Sequence, residues 1–281
     1  MPESFPDAVY AKPDLEELKA EGLHCVDMHY HTRSSDSYIT VKGLVDVARK
    51  RGVGFAVTDH NVIGSVDEAF GYSKDVLVIP GVEIDVWDGP HLLVYFSHPD
   101  PLREFFKKEI EPFMNRCKWL SINRFTEDIL DATEGYDCVI SAAHPTGYLN
   151  SVKGVQRAID KGYLDPGVAK RFDAYEAISG GASKKDNLYA MECTKKHGIG
   201  VTGGTDGHLK GLLGTVVTAS YADTPEGFLE AVRKRETKAI GTSISLPKLL
   251  ATGVVFESRF ITCIPSTLST TVRRMVWRIR Q

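Results

Sequence analysis

At 281 residues, 42% of them apolar and 25% charged, the chain is long enough to bury one large core and has the composition of an ordinary globular protein. A net charge of −3 gives no global reason to expect nucleic-acid binding. No run of 18 apolar residues offers a membrane-spanning helix. The first 21 residues are acidic and lack an apolar signal core. The five cysteines (Cys25, Cys117, Cys138, Cys193, Cys263) are scattered and form no CxxC pair. This reads as reduced, mostly buried thiols, and the expected location is cytoplasmic.

In chain order, residues 1–22 read as an N-terminal extension. Strand-like segments cover 23–30, 53–58, 76–86 and 91–96, with a helix over 40–51 between the first two. Asp88-Gly89 is a hairpin turn signal between the last two strands. Residues 99–135 interrupt the pattern with helical character and mixed charge, and read as an inserted cap. Further strands are expected at 137–142, 172–178, 199–204 and 215–219, with helices at 151–160, 183–197 and 225–235. The last helix follows Thr224-Pro225, a cap with proline at the first helical position. Repeated βα units predict an α/β domain over 23–245 around a mainly parallel sheet, closed or nearly closed into a barrel.

Six of the nine histidines fall in short motifs. These are Asp27-Met28-His29-Tyr30-His31, Thr58-Asp59-His60-Asn61, Gly81-Val82-Glu83-Ile84 with His91, Ala143-His144-Pro145, and Gly203-Gly204-Thr205-Asp206-Gly207-His208. Most stand at the C-terminal ends of expected strands, where barrel active sites are built. Alternate residues of a strand share a face, which places His29 and His31 together, about 6.6 Å apart along the chain. Asp206 and His208 repeat that spacing. Glu83 interrupts an apolar strand, where an unpaired carboxylate is costly; a bound cation or a buried ion pair would explain it. Imidazole mixed with carboxylate suits zinc, manganese or iron, and such sites characteristically hydrolyse. His24, His98 and His197 fit none of the motifs.

The combination DMHYHTRSSD, TDHN, GVEI with His91, AAHP and GGTDGH resembles the PHP (polymerase and histidinol phosphatase) superfamily over residues 23 to about 220. It looks most like the small PHP phosphoesterases that act on nucleotides, which also carry Ser-Asp after the HxH pair (here Ser35-Asp36) and a helical insertion before AHP. The resemblance implies a distorted (β/α)7-type barrel holding three divalent ions, Mn, Zn or Fe. His29 and His31 would hold the first ion, with Glu83 and Asp206 as shared carboxylates. Glu83, His91 and His144 would hold the second, and Asp36, His60 and His208 the third. The expected catalytic carboxylates are Glu83, Asp206 and Asp59, the last by orienting its neighbours, with a metal-bridged hydroxide as nucleophile.

The implied activity is hydrolysis of a phosphate ester, a phosphomonoester or short nucleotide, with no stable duplex nucleic acid as partner. Phosphate needs cationic partners; Arg33 and Lys184 are the candidates, with Lys185 beside them. The chain departs from the nucleotide-acting relatives after AHP, where Thr146-Gly147-Tyr148 replaces an Arg, and at Tyr175-Glu176, where those relatives tend to have Tyr-Asn. Two other readings exist: an amidohydrolase-type C–N hydrolase, and a non-catalytic metal-binding module. The former lacks a strand-end Lys to bridge metals.

The C-terminal segment, 246–281, ends in a basic stretch. Leu268, Val272, Met275, Val276 and Ile279 recur at helical spacing among Arg273, Arg274, Arg278 and Arg280. One reading packs the apolar stripe on the barrel and leaves the arginines solvated. The other makes 266–281 a weak contact with anionic lipid or a protein partner, which would place the protein peripherally at a membrane.

Overall fold

The computed structural model describes residues 8–148, 151–260, 263, 272–274 and 276–277. In chain order these form β1 (Ala8–Tyr10), α1 (Leu15–Ala20), β2 (His24–Asp27), α2 (Val41–Arg51), β3 (Gly54–Val57), α3 (Val66–Phe70), β4 (Val78–Asp85), β5 (His91–Tyr95) and α4 (Pro99–Phe105). Then come α5 (Thr126–Thr133), β6 (Val139–Ala142), α6 (Val155–Asp160), β7 (Ala174–Ser179), α7 (Lys184–His197), β8 (Gly200–Gly204), β9 (Val216–Ser220), α8 (Pro225–Arg233), β10 (Lys238–Gly241) and α9 (Leu246–Phe260). Local chemistry sets the helix ends. Thr40, Ser183 and Thr224 cap the starts of α2, α7 and α8 with their hydroxyls, and Gly52 and Gly198 end α2 and α7 with left-handed φ of 62° and 65°.

The strands make one sheet in the order β1-β10-β9-β2-β3-β4-β5-β6-β7-β8. The β2-β3-β4 and β6-β7-β8 runs are parallel, while β5 is antiparallel to both neighbours. That follows from the hairpin at Asp88-Gly89, where Gly89 has φ 122°. The sheet nearly closes at one end. Met28 N donates to Gly203 O, His31 N to Gly207 O, and Gly207 N to His29 O. A barrel-shaped α/β fold was the expectation, and this is the fold. β1 and β10 add strands that the sequence pattern did not show; the N-terminal segment pairs with the sheet rather than preceding it.

Strand parity sorts the core into two layers. Val78, Val82 and Ile84 of β4 and Leu92 and Val94 of β5 pack with helix residues such as Leu44, Val45 and Leu102. Ile79 of β4 and Leu93 and Tyr95 of β5 belong to a second cluster with Val26, Met28, Ala56 and Phe228. Glu83 and His91 have the parity of the second, inward set. This is how two polar residues come to stand in otherwise apolar strands.

Segment 99–135 holds α4 and α5, with a π-turn at Phe106–Ile110 and a 3₁₀ turn at Glu111–Phe113 after α4, and residues 114–125 are non-helical. The thiol expectation needs correction. Cys117 of this insertion is bonded to Cys263, with Cα atoms 5.7 Å apart. Only Cys25, Cys138 and Cys193 are free, all buried. Burial pushes their thiols up to about 12, 12 and 11. Scattered spacing concealed the pair because 146 residues separate the two cysteines. The cysteine pattern therefore gives no ground for a reducing compartment.

Of the basic tail, 272–274 and 276–277 are helical; Leu268, Met275, Arg278, Ile279 and Arg280 lie outside the described residues. At these positions the pattern is mixed: Arg273 is exposed and Arg274 half-buried. Val272 and Val276 are exposed, whereas Arg273 and Arg274 engage Trp87 and Asp85. An arginine fork satisfies buried carbonyls and a carboxylate that a valine would leave unpaired.

Titration of the denatured, unreduced protein with a thiol reagent should give three thiols per chain, rising to five after reduction. Five thiols before reduction would show that Cys117 and Cys263 are not paired.

Candidate metal centre

The strand ends bring nine polar side chains to one place. His29 and His31 follow β2, their Nε2 atoms 3.1 Å apart. Asp206 Oδ1, after β8, is 3.0 Å from His31 Nε2 and 3.6 Å from His29 Nε2. Asp36, on the loop after β2, places Oδ1 3.3 Å from His31 Nδ1. Its Oδ2 lies 2.9 Å from His208 Nε2 and 3.4 Å from His60 Nε2. Glu83 Oε2 is 3.0 Å from His60 Nδ1, and its Oε1 is 2.8 Å from His91 Nδ1 and 3.3 Å from His144 Nε2. Eight of the nine are buried, and Asp206 is partly so.

Three groupings have donor atoms close enough to share an ion: His29 with His31 and Asp206, His31 with Asp36 and His60, and His60 with Glu83 and His91. His60 therefore stands between Asp36 and Glu83, where the expected allotment gave it to Asp36 alone. His208 approaches Asp36, and His144 approaches Glu83.

The donors set one another's charge states. Burial by itself would raise Glu83, but His60, His29 and His91 outweigh it and hold the carboxyl well below its usual range. The same balance lowers Asp36, through His208, His31 and His60, and Asp206, mainly through His29 and His31. Burial opposes charge on His29 and His60, yet the surrounding carboxylates raise both well above 6.5. For His91 burial wins and pulls it down to about 4, a neutral imidazole. Five buried donor atoms of the set have no hydrogen bond: His31 Nδ1, His60 Nδ1, Glu83 Oε2, His91 Nε2 and His144 Nδ1. Orphaned lone pairs of this kind, in a mixed imidazole and carboxylate set, fit divalent cations.

Supporting residues hold the donors. Asp59 spends both oxygens on the loop that carries Asp36, accepting from Thr32 N at 2.7 Å, Thr32 Oγ1 at 2.6 Å and Ser35 Oγ at 2.6 Å. It braces the loop and points neither oxygen at an imidazole of the set. Asp27 does not share a face with His29, because β2 ends there and its parity stops. Its carboxylate instead accepts from Thr205 and Gly214, and burial raises it to about 7.

Three residues escaped the sequence reading as parts of this site. Glu176 on β7 lies 3.2 Å from His29 Nδ1 and accepts from His144 N at 2.6 Å. An acid inside the apolar strand AYEAIS was the available signal, the same one that marked Glu83. Tyr148 donates its hydroxyl to Asp206 Oδ2 at 2.7 Å; no local pattern announces that. Asp85, two residues beyond Glu83 on the same face, lies 3.7 Å from His91 Nε2. His144, Asp206 and Asn61 all adopt left-handed φ, at 27°, 51° and 49°. Such backbone strain in non-glycine residues gathers at functional sites.

The two proposed phosphate contacts are less involved. Arg33 is exposed beside the site loop, and Lys184 is exposed at the start of α7, its ammonium 5.6 Å over the Tyr10 ring. A cavity of about 610 Å³ lies next to the loops of the donor set. It is lined by Ser34, Ile63 and Gly64 on one side and by Phe106, Arg116, Lys118 and Trp119 of the insertion on the other. None of the nine donors lines it.

A barrel of this kind with buried imidazoles and carboxylates at its strand ends defines a metal-binding α/β hydrolase class. The PHP domain family model matches residues 27–239, and the chain belongs to that family. Solved structures with the same fold include a candidate metal-dependent phosphoesterase from Bifidobacterium adolescentis, at 18% identity and TM-score 0.52, over 79% of this chain and 98% of that one. The lesion-specific endonuclease PfuEndoQ from Pyrococcus furiosus matches at 16% identity and TM-score 0.57, over 77% of this chain and 57% of that one. An amidohydrolase from Chromobacterium violaceum matches at 18% identity and TM-score 0.52, over 74% and 96%. Among curated proteins none matches the sequence.

Metal ligands must be deprotonated. With His29 and His60 raised well above 6.5 in the metal-free protein, both hold protons at pH 7 and must release them when an ion binds. Adding Zn²⁺ or Mn²⁺ to metal-free protein at pH 7 should therefore liberate protons, and affinity should fall as pH drops. Calorimetry in buffers of different ionisation enthalpy measures this; binding without proton release would contradict the charge state assigned to the set.

Proposed function

We propose that the protein is a metal-dependent phosphoesterase acting on a small phosphorylated substrate, a phosphomonoester or short nucleotide. The observation that carries the reading is the set of nine converging donors, with five buried donor atoms left without hydrogen bonds. His29, His31, Asp36, His60, Glu83, His91, His144, Asp206 and His208 would hold the ions, three in number, and Mn, Zn or Fe in kind. Bound there, divalent cations would activate water and neutralise charge on a phosphoryl group.

The chain's own residues prepare that chemistry. Glu83 and Asp206 sit between imidazoles and would supply the carboxylates that the ions share. Glu176 fixes the His29 ring and the His144 backbone together. Tyr148 fixes the rotamer of Asp206. Asp59 keeps the Asp36 loop in place. Arg33, exposed at the rim, offers a guanidinium to an incoming phosphate.

The net charge of −3 favours a small substrate over duplex nucleic acid. The amidohydrolase neighbour keeps C–N hydrolysis as the second reading, since the fold serves both. The tail's role in binding lipid or a partner, and a cytoplasmic or membrane-peripheral location, belong to this proposal too. Among the described residues no helix is long and apolar enough to cross a membrane.

A panel of phosphate esters, nucleotides and amides, assayed with metal-free protein and after adding Mn²⁺, Zn²⁺ or Fe²⁺, tests the proposal. Phosphate release should vanish on chelation and return with metal. Activity that survives exhaustive chelation, or cleavage of amides alone, would refute it. His29→Ala and Asp206→Asn should each lower turnover by at least about 100-fold, since removing a ligand misplaces the ion that makes the nucleophile. Wild-type rates with unchanged metal content would remove those residues from the site.

Arg33→Ala should mainly weaken substrate binding, by the roughly 1.5–3 kcal/mol of a charge-assisted phosphate contact. Unchanged KM and kcat would make Arg33 a surface charge.

A further inference from the structure

The C-terminal segment returns to the barrel at the turn between β4 and β5. The Arg274 guanidinium makes three bonds there: Nη2 to Asp85 Oδ1 at 2.9 Å, Nη2 to Val86 O at 2.6 Å and Nε to Trp87 O at 2.7 Å. Arg273 takes a different place, its guanidinium 5.0 Å over the Trp87 ring. Asp85 is the inward-facing residue that follows Glu83 on β4, and its second oxygen lies 3.7 Å from His91 Nε2.

The two nitrogens of His91 divide between these neighbours. Nδ1 faces Glu83 at 2.8 Å, inside the donor set. Nε2 is buried, has no hydrogen bond, and faces Asp85. A carboxylate behind a ligating imidazole fixes its tautomer and ring orientation, and it raises the basicity of the ligating nitrogen. Asp85 can do this only if its own carboxylate is held. Among the described residues Arg274 is the arginine that pairs with it, Lys153 adds a further positive charge nearby, and the two carbonyl bonds leave the guanidinium one orientation.

We propose that Arg274 is a positioning residue of the metal centre: it fixes Asp85, whose carboxylate, 3.7 Å from Nε2, orients the His91 imidazole by its charge rather than by a hydrogen bond. The proposal rests on reading the nine donors as a metal centre. It makes the C-terminal segment part of the site, although that segment lies beyond residues 27–239 of the family match.

The test is a titration of metal-free, full-length protein with Zn²⁺ against a chromophoric chelator, so that no substrate is needed. Arg274→Ala and Asp85→Asn should each weaken the affected ion by about 10- to 100-fold. The double variant should be no weaker than either single, because both changes break one linkage. Arg273→Ala, which removes the neighbouring ring contact but leaves Asp85 paired, should bind as the wild type does. Wild-type affinity in Arg274→Ala, equal loss in Arg273→Ala, or additive losses in the double variant would overturn the proposal. Should Arg274→Ala fail to fold, the isosteric Asp85→Asn decides, and wild-type affinity there overturns it. Absence of any ion binding by the wild type would instead overturn the metal centre, and the role of Arg274 with it.

Discussion

Glu83 is fully buried, and its two oxygens lie within 3.4 Å of five imidazoles, those of His29, His31, His60, His91 and His144. A lone carboxylate in such a place would cost several kcal/mol or give up its charge. Those five rings come from four separate segments of the chain, three just past the ends of β2, β3 and β6 and one at the start of β5. The carboxylate and the rings are mutually necessary: protons or cations must sit between them for either to be tolerated. The barrel geometry follows the same constraint, since only a closed sheet points so many strand ends at one spot.

Around that centre the fold spends a great deal on holding loops still. Asp27, Asp59 and Glu176 are buried carboxylates whose oxygens go largely to backbone N–H groups and hydroxyls rather than to charged partners. Close approach does the rest. A Cβ at Gly204 would lie 2.4 Å from His29 Cβ, and one at Gly207 would lie 2.3 Å from the Tyr30 ring. The glycines of GGTDGH are thus what lets the last barrel strand meet the first and bring Asp206 against His29 and His31.

The insertion and the C-terminal segment close over the side of the barrel that carries the donors. Their contacts are unlike those of the core. Arg259 donates to the carbonyls of Arg33 and Ser35, beside the loop that bears Asp36, and lies 4.9 Å over the Trp119 ring of the insertion. Cys263 is bonded to Cys117. Trp277 packs on Phe125, ring centroids 5.6 Å apart. Arginine, disulfide and aromatic contacts can order a segment that buries little of its apolar surface; Leu246, Leu250 and Val254 of α9 stay exposed.

The sequence by itself determined the alternation of strands and helices, the hairpin at Asp88-Gly89, and the donor-bearing motifs. These are short-range properties: period-two alternation, capping hydroxyls, turn glycines, and polar residues where an apolar strand should continue. Glu83 and Glu176 carried the same local signal, yet only the closed barrel separates a carboxylate that faces five imidazoles from one that faces a single imidazole and a backbone N–H. β1 and β10 were illegible because three or four residues hold too little periodicity to read. Tertiary structure alone decided the division of donors among ions, the pairing of Cys117 with Cys263, and the direction in which Arg273 and Arg274 point. Each depends on contacts between residues far apart in sequence, 147 for His29 and Glu176 and 189 for Asp85 and Arg274. No local pattern encodes a distance that exists only once the sheet has closed.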